Sequence, residues 1–317
     1  MDFSLQQTAT LIQNSNVIVL TAHVQPDGDC LGSMIALHHY LLALGKDVRM
    51  VLDDDIPALY KFLPGQEMIN KPAAKVLNAD LLIVLDASDV ERIGHVKEHV
   101  NAPILNIDHH LSNTKFADYW YINTHSAATG EIILQLLTLL DAKITADMAT
   151  CLYTAIATDC GFFRYANTSV QTMRFAADLM EYGANPHIIS EYMETKSFDS
   201  LLTLGKVLET LELHYHGKIA TITILPNTLS SLDSTEGFIN YPRIIDGVEI
   251  AIMFKVMNDG MIRISFRSKT VDVSKLALSF GGGGHARAAG CAIMGVIEDV
   301  TTEVLHTAIK HLSEKIS

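Results

Sequence analysis

The sequence predicts an α/β protein in two parts: a doubly wound parallel sheet over residues 1–190, then a smaller α/β domain with a mixed sheet over residues 206–317. A helical connector is expected at 191–205, and a cleft between the domains. Three observations carry this reading. Short apolar runs alternate with helix-period segments through the first 190 residues. Near residue 206 the alternation gives way to strands that follow one another. The charge changes with the pattern: up to residue 200 there are 12 Lys+Arg against 24 Asp+Glu, and after it 11 against 12.

Taken in order, VIVLTA (17–22), DVRMVL (47–52), LLIVLDA (81–87) and PILNID (103–108) are short, rich in β-branched residues and apolar on both faces, as buried parallel strands are. Between or after them, residues 31–45, 128–140, 144–159 and 169–183 have helical spacing, and the first and last end at a Gly suited to a C-cap. In the second part HGKIATITIL, GVEIAIMFKV and GMIRISFRS alternate as strands, the last two joined by the turn-like MNDG. A glycine run, GGGGHARAAG (281–290), and a closing helix at 297–315 complete the chain.

With 317 residues, 49% of them apolar, the chain can bury a large core, which excludes a disordered, collagenous or disulfide-scaffold protein. Cys30, Cys151, Cys160 and Cys291 form no C-x-x-C pair, so a reducing cytoplasm is the expected compartment. No basic n-region precedes the first apolar stretch and no apolar run is long enough to span a bilayer, so neither export nor a membrane partner is expected. A net charge of −13 argues against long duplexes or structured RNA as partners. Bound cations would reverse that locally.

Carboxylates and histidines collect at four ends of predicted strands and helices, the edge where open α/β sheets bind ligands. HVQPDGDC places His23, Asp27 and Asp29 in a Pro/Gly loop after the first strand, although the same residues would suit a polar loop with Asp29 near an N-cap. LLIVLD ends at Asp86, and NIDHH ends its strand with Asp108, His109 and His110. Adjacent histidines point different ways, which suggests one on a metal and one on the substrate. Asp159 closes an apolar helix where the dipole disfavours an anion, so a compensating cation is expected. His38 and His39 lie mid-helix and are expected to pack or be solvated, and Cys160 to pack. Five Asp and three His are too many for one structural ion and suit two ions sharing a carboxylate. Imidazole and carboxylate without thiolate favours Mn²⁺, with Fe²⁺, Co²⁺ or Mg²⁺ as alternatives. Such a pair activates water for in-line displacement at phosphorus, the chemistry of phosphoester hydrolysis.

HVQPDGD, LLIVLD, IDHH, TDCGFFRY and GGGGHARAAG, in this order and spacing, resemble the DHH phosphoesterase family with its DHH-associated C-terminal domain. SAATGE (126–131) and SFRSK before the glycine run are most similar to the NrnA type, which degrades very short RNA oligonucleotides and removes the 3′-phosphate of 3′-phosphoadenosine 5′-phosphate (pAp). The resemblance implies one manganese on His23, Asp27 and Asp86, and a second on Asp29, Asp86, His109 and Asp159, with Asp86 bridging. It implies that His110 faces the scissile phosphate, that Asp108 orients a neighbouring histidine, and that the protein forms a homodimer. Cys30 stands where the family commonly has Ala, and Cys160 where it has Thr; neither is expected to touch a ligand.

Substrate recognition is expected in the second domain. Arg263, Arg267 and Lys269 differ by even numbers and so share one face of a strand, as a phosphate contact or a solvated edge. The glycine run would bring backbone amides of Gly283 and Gly284 close to a phosphate, with His285 as a further donor, or would serve only as a tight turn. The resemblance favours Arg267 and His285 as phosphate contacts, and Ser126 is a further candidate. The expected substrates are short single-stranded oligonucleotides and pAp. Alternatives are cyclic dinucleotides or pApA, then pyrophosphate or polyphosphate, and, from another class, noncatalytic nucleotide binding.

Overall fold

A computed structural model describes residues 1–228, 235 and 237–316, with the backbone alone for His285 and residues 314–316. Two compact units emerge, Met1–Thr195 and Lys196–Ser317.

In the first unit, β1 (Val17–Ala22), β2 (Asp47–Val51), β3 (Ile69–Asn70), β5 (Leu81–Leu85), β7 (Ile104–Asp108) and β8 (Tyr119–Ile122) form one parallel sheet in the order β3-β2-β1-β5-β7-β8. Two short segments, β4 (Leu77–Asn78) and β6 (Val100–Asn101), pair separately. The four strands expected from sequence are present, whereas β8 was not foreseen. Its side chains are all half-buried, so YWYI lacks the fully buried signature of its neighbours. On one sheet face lie α1 (Leu5–Asn14), α2 (Gly28–Ala43), α4 (Thr129–Leu139), α5 (Ala146–Asp159), α6 (Val170–Glu181) and α7 (Pro186–Glu194). The other face is covered by loops and the short α3 (Val96–His99), around Val19, Leu82, Val84 and Val96.

Helix α2 is buried almost all round, which is what an apolar helix without a polar stripe requires. It meets α5 closely because Gly32 has no side chain: a Cβ there would come 2.2 Å from the Cys151 carbonyl oxygen. Strand order reverses between β1 and β5, and the crevice at such a reversal, outside the carboxyl ends of the strands, is the preferred ligand position of the fold. His23 follows β1, Asp86 follows β5, and Asp108 to His110 close β7.

The second unit begins with α8 (Phe198–Leu208), so the expected connector divides into α7 and α8 with the boundary after Thr195. Its sheet runs β13-β14-β12-β11-β10-β9, built from β9 (Glu212–His214), β10 (Ile219–Ile224), β11 (Ile250–Val256), β12 (Met261–Ser268), β13 (Gly283–His285) and β14 (Ala288–Met294). The sheet is mixed: β10 and β11 are parallel and the other pairs antiparallel. One face packs Ile250, Ile252, Phe254, Ile264 and Phe266 with residues of α10 (Val273–Leu278) and α11 (Ile297–Ile316). Part of the other face packs with α8 and α9 (Asn240–Ile244) around Leu204, Ile222, Phe238 and Met253.

The glycine run is a hairpin. Gly284 has φ +136°, and a Cβ on it would sit 2.6 Å from the Ala288 carbonyl oxygen, so strand pairing alone demands glycine there. Gly283 is exposed and the side chain of His285 lies outside the described residues. Lys269 corrects the expectation of three basic residues on one strand face. β12 ends at Ser268, and Lys269, one residue beyond it, donates from Nζ to the Ile245 carbonyl oxygen at 3.0 Å. Lys255 takes the place on that face: it stands directly across from Arg263, while Arg267 pairs with Ala251 and Ala288.

Candidate metal centre

The site starts from the N-terminus of α2. Asp27 is its N-cap, with Oδ1 accepting from the amides of Asp29 (3.0 Å) and Cys30 (3.1 Å), which leaves Oδ2 free to face His23. Asp29 therefore lies in the first helical turn and not at the cap. His23 Nδ1 is 2.8 Å from the Val24 carbonyl oxygen, which only accepts, so Nδ1 carries a proton and Nε2 is the atom turned toward the carboxylates. Nε2 stands 3.5 Å from Asp27 Oδ2 and 3.5 Å from Asp86 Oδ2.

A second set meets the other oxygen of Asp86. His109 Nδ1 is 3.2 Å from the Ser126 carbonyl oxygen, and its Nε2 lies 3.5 Å from Asp86 Oδ1, 3.6 Å from Asp159 Oδ2 and 3.8 Å from Asp29 Oδ2. The two carboxylate oxygens of Asp86 thus look toward two different groups of ligand-type atoms. Within His23/Asp27/Cys30, Asp86/His109/His110 and Asp29/His109/Asp159, the atoms lie within 4.8 Å of one another.

The donor set fits divalent cations. Both histidines spend Nδ1 on a backbone carbonyl and turn Nε2 inward, as metal-ligating imidazoles do. Asp29 and Asp86 are 1% and 2% exposed, and carboxylates crowded at this depth require compensation. Burial, then Asp86, Asp159 and Asp27, push the Asp29 carboxyl well above its usual range, and burial pushes Asp159 up to about 7. Burial opposes ionisation of Asp86 too, but the His23 hydrogen bond and the imidazoles of His110, His109 and His23 outweigh it and hold this carboxyl low.

Helix α4 supplies donors that the sequence did not reveal. The amides of Thr129 and Gly130 donate to Asp29 Oδ2 and Oδ1 at 2.7 and 2.8 Å, and Thr129 Oγ1 donates to Asp86 Oδ1 at 2.9 Å. Orphan amides at a helix start are a natural seat for a carboxylate. Backbone donors leave no mark in a sequence, and only the hydroxyl of Thr129 could have been noticed.

Asp108 is fully buried and organises the last element. Its Oδ1 accepts from the His109 amide (2.8 Å) and from His110 Nδ1 (2.7 Å), and Oδ2 accepts from Asn113 Nδ2. Asn113 Nδ2 also donates to Asn106 Oδ1 at 2.8 Å, and Asn106 Nδ2 donates to the carbonyls of Val84 and Ala87. Asn106 was a detectable signal, being the one amide in the apolar strand PILNID. Burial works against protonation of His110, but Asp108 and Asp86 outweigh it and raise His110 to about 9.

Two expectations change. Cys30 does touch a candidate ligand, since its Sγ accepts from the Asp27 amide at 3.3 Å; burial pushes its thiol up to about 12. Ser126 is buried, and its hydroxyl accepts from Asn123 Nδ2 at 3.0 Å while its carbonyl faces His109, so it orients a histidine. Cys160 packs as expected, His38 is buried, and His39 Nε2 meets the Pro64 carbonyl oxygen at 3.0 Å. No helix among the described residues is long and apolar enough to cross a membrane.

Known proteins resemble this chain in both of its domains. Residues 17–156 match the DHH family N-terminal domain and residues 231–317 the DHHA1 domain. A Thermus thermophilus protein described as a bifunctional oligoribonuclease and PAP phosphatase NrnA is 32% identical over 92% of this chain and 89% of its own. A Bacillus subtilis protein of the same description is 26% identical over 88% of this chain and 90% of its own. A crystal structure of an exopolyphosphatase-related protein from Bacteroides fragilis superposes with a TM-score of 0.86 at 25% identity, covering 98% of this chain and 95% of that one. With its carboxylate-rich centre at the sheet reversal and both domains matched, the chain belongs to the DHH family of metal-dependent phosphoesterases.

Proposed function

We infer that this protein is a manganese-dependent phosphoesterase of the cytoplasm that hydrolyses short oligoribonucleotides to mononucleotides and removes the 3′-phosphate of pAp. The observation that carries the reading is Asp86, whose two oxygens face separate His/Asp sets 3.5 Å away. The descriptions of the Thermus and Bacillus relatives support the substrate class. His23, Asp27 and Asp86 would hold one ion, and Asp29, Asp86, His109 and Asp159 the other. When bound, a pair of divalent ions supplies Lewis-acid activation of water and charge stabilisation at phosphorus. Six imidazole or carboxylate side chains favour Mn²⁺ over Mg²⁺, whose shells are usually all oxygen. Cys30 stays outside the set because its Sγ is engaged with the Asp27 backbone.

The chain's own residues do the rest. Asp108 holds the Nδ1 proton of His110, which leaves Nε2 to donate to a phosphoryl oxygen and stabilise its growing charge. Lys255, Arg263 and Arg267 recognise the remaining phosphate of the substrate on one face of the second unit's sheet. Lys255 and Arg263 are like charges directly opposed across two strands, an arrangement that an anion relieves. Burial and Arg263 together lower the Lys255 pKa.

The test is turnover of purified protein with Mn²⁺ on a diribonucleotide, pAp, cyclic di-AMP and pyrophosphate. Mononucleotide from the dinucleotide and AMP from pAp are expected. Turnover of cyclic di-AMP or pyrophosphate alone would move the substrate class, and no turnover of any of the four would refute the enzyme.

A further inference from the structure

Glu131 is a buried carboxylate that the proposed chemistry does not use. It is 3% exposed; Oε2 accepts from the Ala127 amide at 3.1 Å, and Oε1 has no hydrogen-bond partner among the described residues. Stability alone gives a poor account of it. A capping box joins the third helical residue to the N-cap amide at the surface, and here α4 has Ala128 as N-cap with no side-chain bond. Glu131 reaches past the N-cap to the residue before it. Burying a carboxylate with one oxygen unsatisfied costs more than such a contact returns.

The contact makes sense through the peptide plane. The Ala127 N–H and the Ser126 C=O belong to one rigid trans peptide, so they point in opposite directions. Glu131 fixes the N–H on one side, and the C=O on the other side is thereby aimed at His109 Nδ1, 3.2 Å away. Asn167 Nδ2 steadies the next carbonyl, Ala127 O, at 3.1 Å. The aim matters because His109 Nε2 has carboxylate oxygens of Asp86, Asp159 and Asp29 at 3.5, 3.6 and 3.8 Å. Ionised carboxylates at those distances favour a proton on Nε2, and with the proton there Nε2 has no lone pair to offer a metal. Only an acceptor at Nδ1 opposes them.

We propose that Glu131 is a positioning residue that clamps the Ser126–Ala127 peptide and so holds His109 as the Nδ1–H tautomer, with Nε2 open to the metal. The inference rests on His109 being a ligand, as proposed above. Glu131→Met removes the acceptor at similar volume, and Glu131→Gln keeps an acceptor oxygen. Mn²⁺ titration followed by the EPR signal of the free ion should show one of two sites weakened about 10- to 100-fold in the Met variant. The Gln variant should bind like the parent. In the metal-free protein, ¹⁵N-imidazole NMR should find His109 as the Nδ1–H tautomer in parent and Gln variant and mixed in the Met variant. A destabilised fold alone would not move that signature. If the Met variant does not fold, Glu131→Asp, which keeps the charge and shortens the reach, should show the same selective loss. A folded Met or Asp variant with parental Mn²⁺ affinity and an unchanged tautomer overturns the proposal. His109→Ala separates the two claims: if it keeps both sites, the ligand assignment is at fault; if it loses one while the Glu131 variants lose none, only the clamp fails.

Discussion

The two units present their charged side chains in opposite ways. In the first, carboxylates and imidazoles are sunk at the sheet edge and three of them are held by backbone groups: Asp29 by the amides of Thr129 and Gly130, His23 by the Val24 carbonyl, His109 by the Ser126 carbonyl. In the second, Arg263 stands exposed and Lys255 and Arg267 half-exposed on a sheet face, where Lys255 Nζ donates to Thr235 Oγ1 at 3.4 Å and Arg267 Nη1 to the Phe266 carbonyl oxygen at 3.0 Å. A centre that must hold ligand atoms against mutual repulsion needs rigid partners. A surface that only attracts phosphate tolerates longer, looser arms.

If this contrast is right, substitutions in the first unit act on metal binding and kcat, and those in the second on KM. The largest effect is expected from Asp86→Ala, which should lower kcat by about three orders of magnitude or more and abolish the paired Mn²⁺ stoichiometry in a binding titration. Near-parental turnover would break the assignment of Asp86 as the shared ligand. Next comes Asn113→Ala, which strips a donor from Asp108 and loosens His110; kcat should fall about 10- to 100-fold with KM little changed. Arg263→Ala and Lys255→Ala should each raise KM for a dinucleotide about tenfold, or ~1.4 kcal/mol, with kcat nearly constant. Lys269→Ala should leave both constants alone, since its ammonium is committed to Ile245. A loss of kcat in the lysine or arginine variants would erase the division of labour.

A separate effect concerns stability and not activity. Burial, with His39 nearby, lowers the His38 pKa from 6.5 to about 4. The unfolded chain then takes up a proton that the folded one refuses, so stability is intact above pH 6.5 and drains away as pH falls toward 4. His38→Gln should flatten that acid limb by up to ~1.4 kcal/mol per pH unit, read from denaturation midpoints across the range. An unchanged slope would mean that His38 protonates freely in the folded protein.

Much of the first unit was legible because its strands are apolar on both faces and end abruptly in a charged residue, as LLIVL does at Asp86 and ILNI at Asp108. What stayed hidden had no side-chain signature. The grip of Thr129 and Gly130 on Asp29 is made by amides across 100 residues of chain, and the clamp of Glu131 works through a peptide plane. Helix α1, LQQTATLIQN, was missed although Leu5, Ala9 and Ile12 keep helical spacing, because its buried stripe is short and includes the polar Thr8. In the second unit the error over Lys269 came from extending the period-2 rule one residue beyond the strand. Lys255 needed the pairing of β11 with β12, which a single strand's pattern does not contain.

The seating of Asp29 on the start of α4 has one more consequence. Active-site edges are commonly where proteins open most readily, yet the amides of Thr129 and Gly130 are buried and donate to a carboxylate carried by a different helix. They can exchange with solvent only when α2 and α4 come apart. In a deuterium-exchange experiment these two amides should be among the slowest in the chain, and their rate becomes a clock for the integrity of the centre that needs neither metal nor substrate to be read.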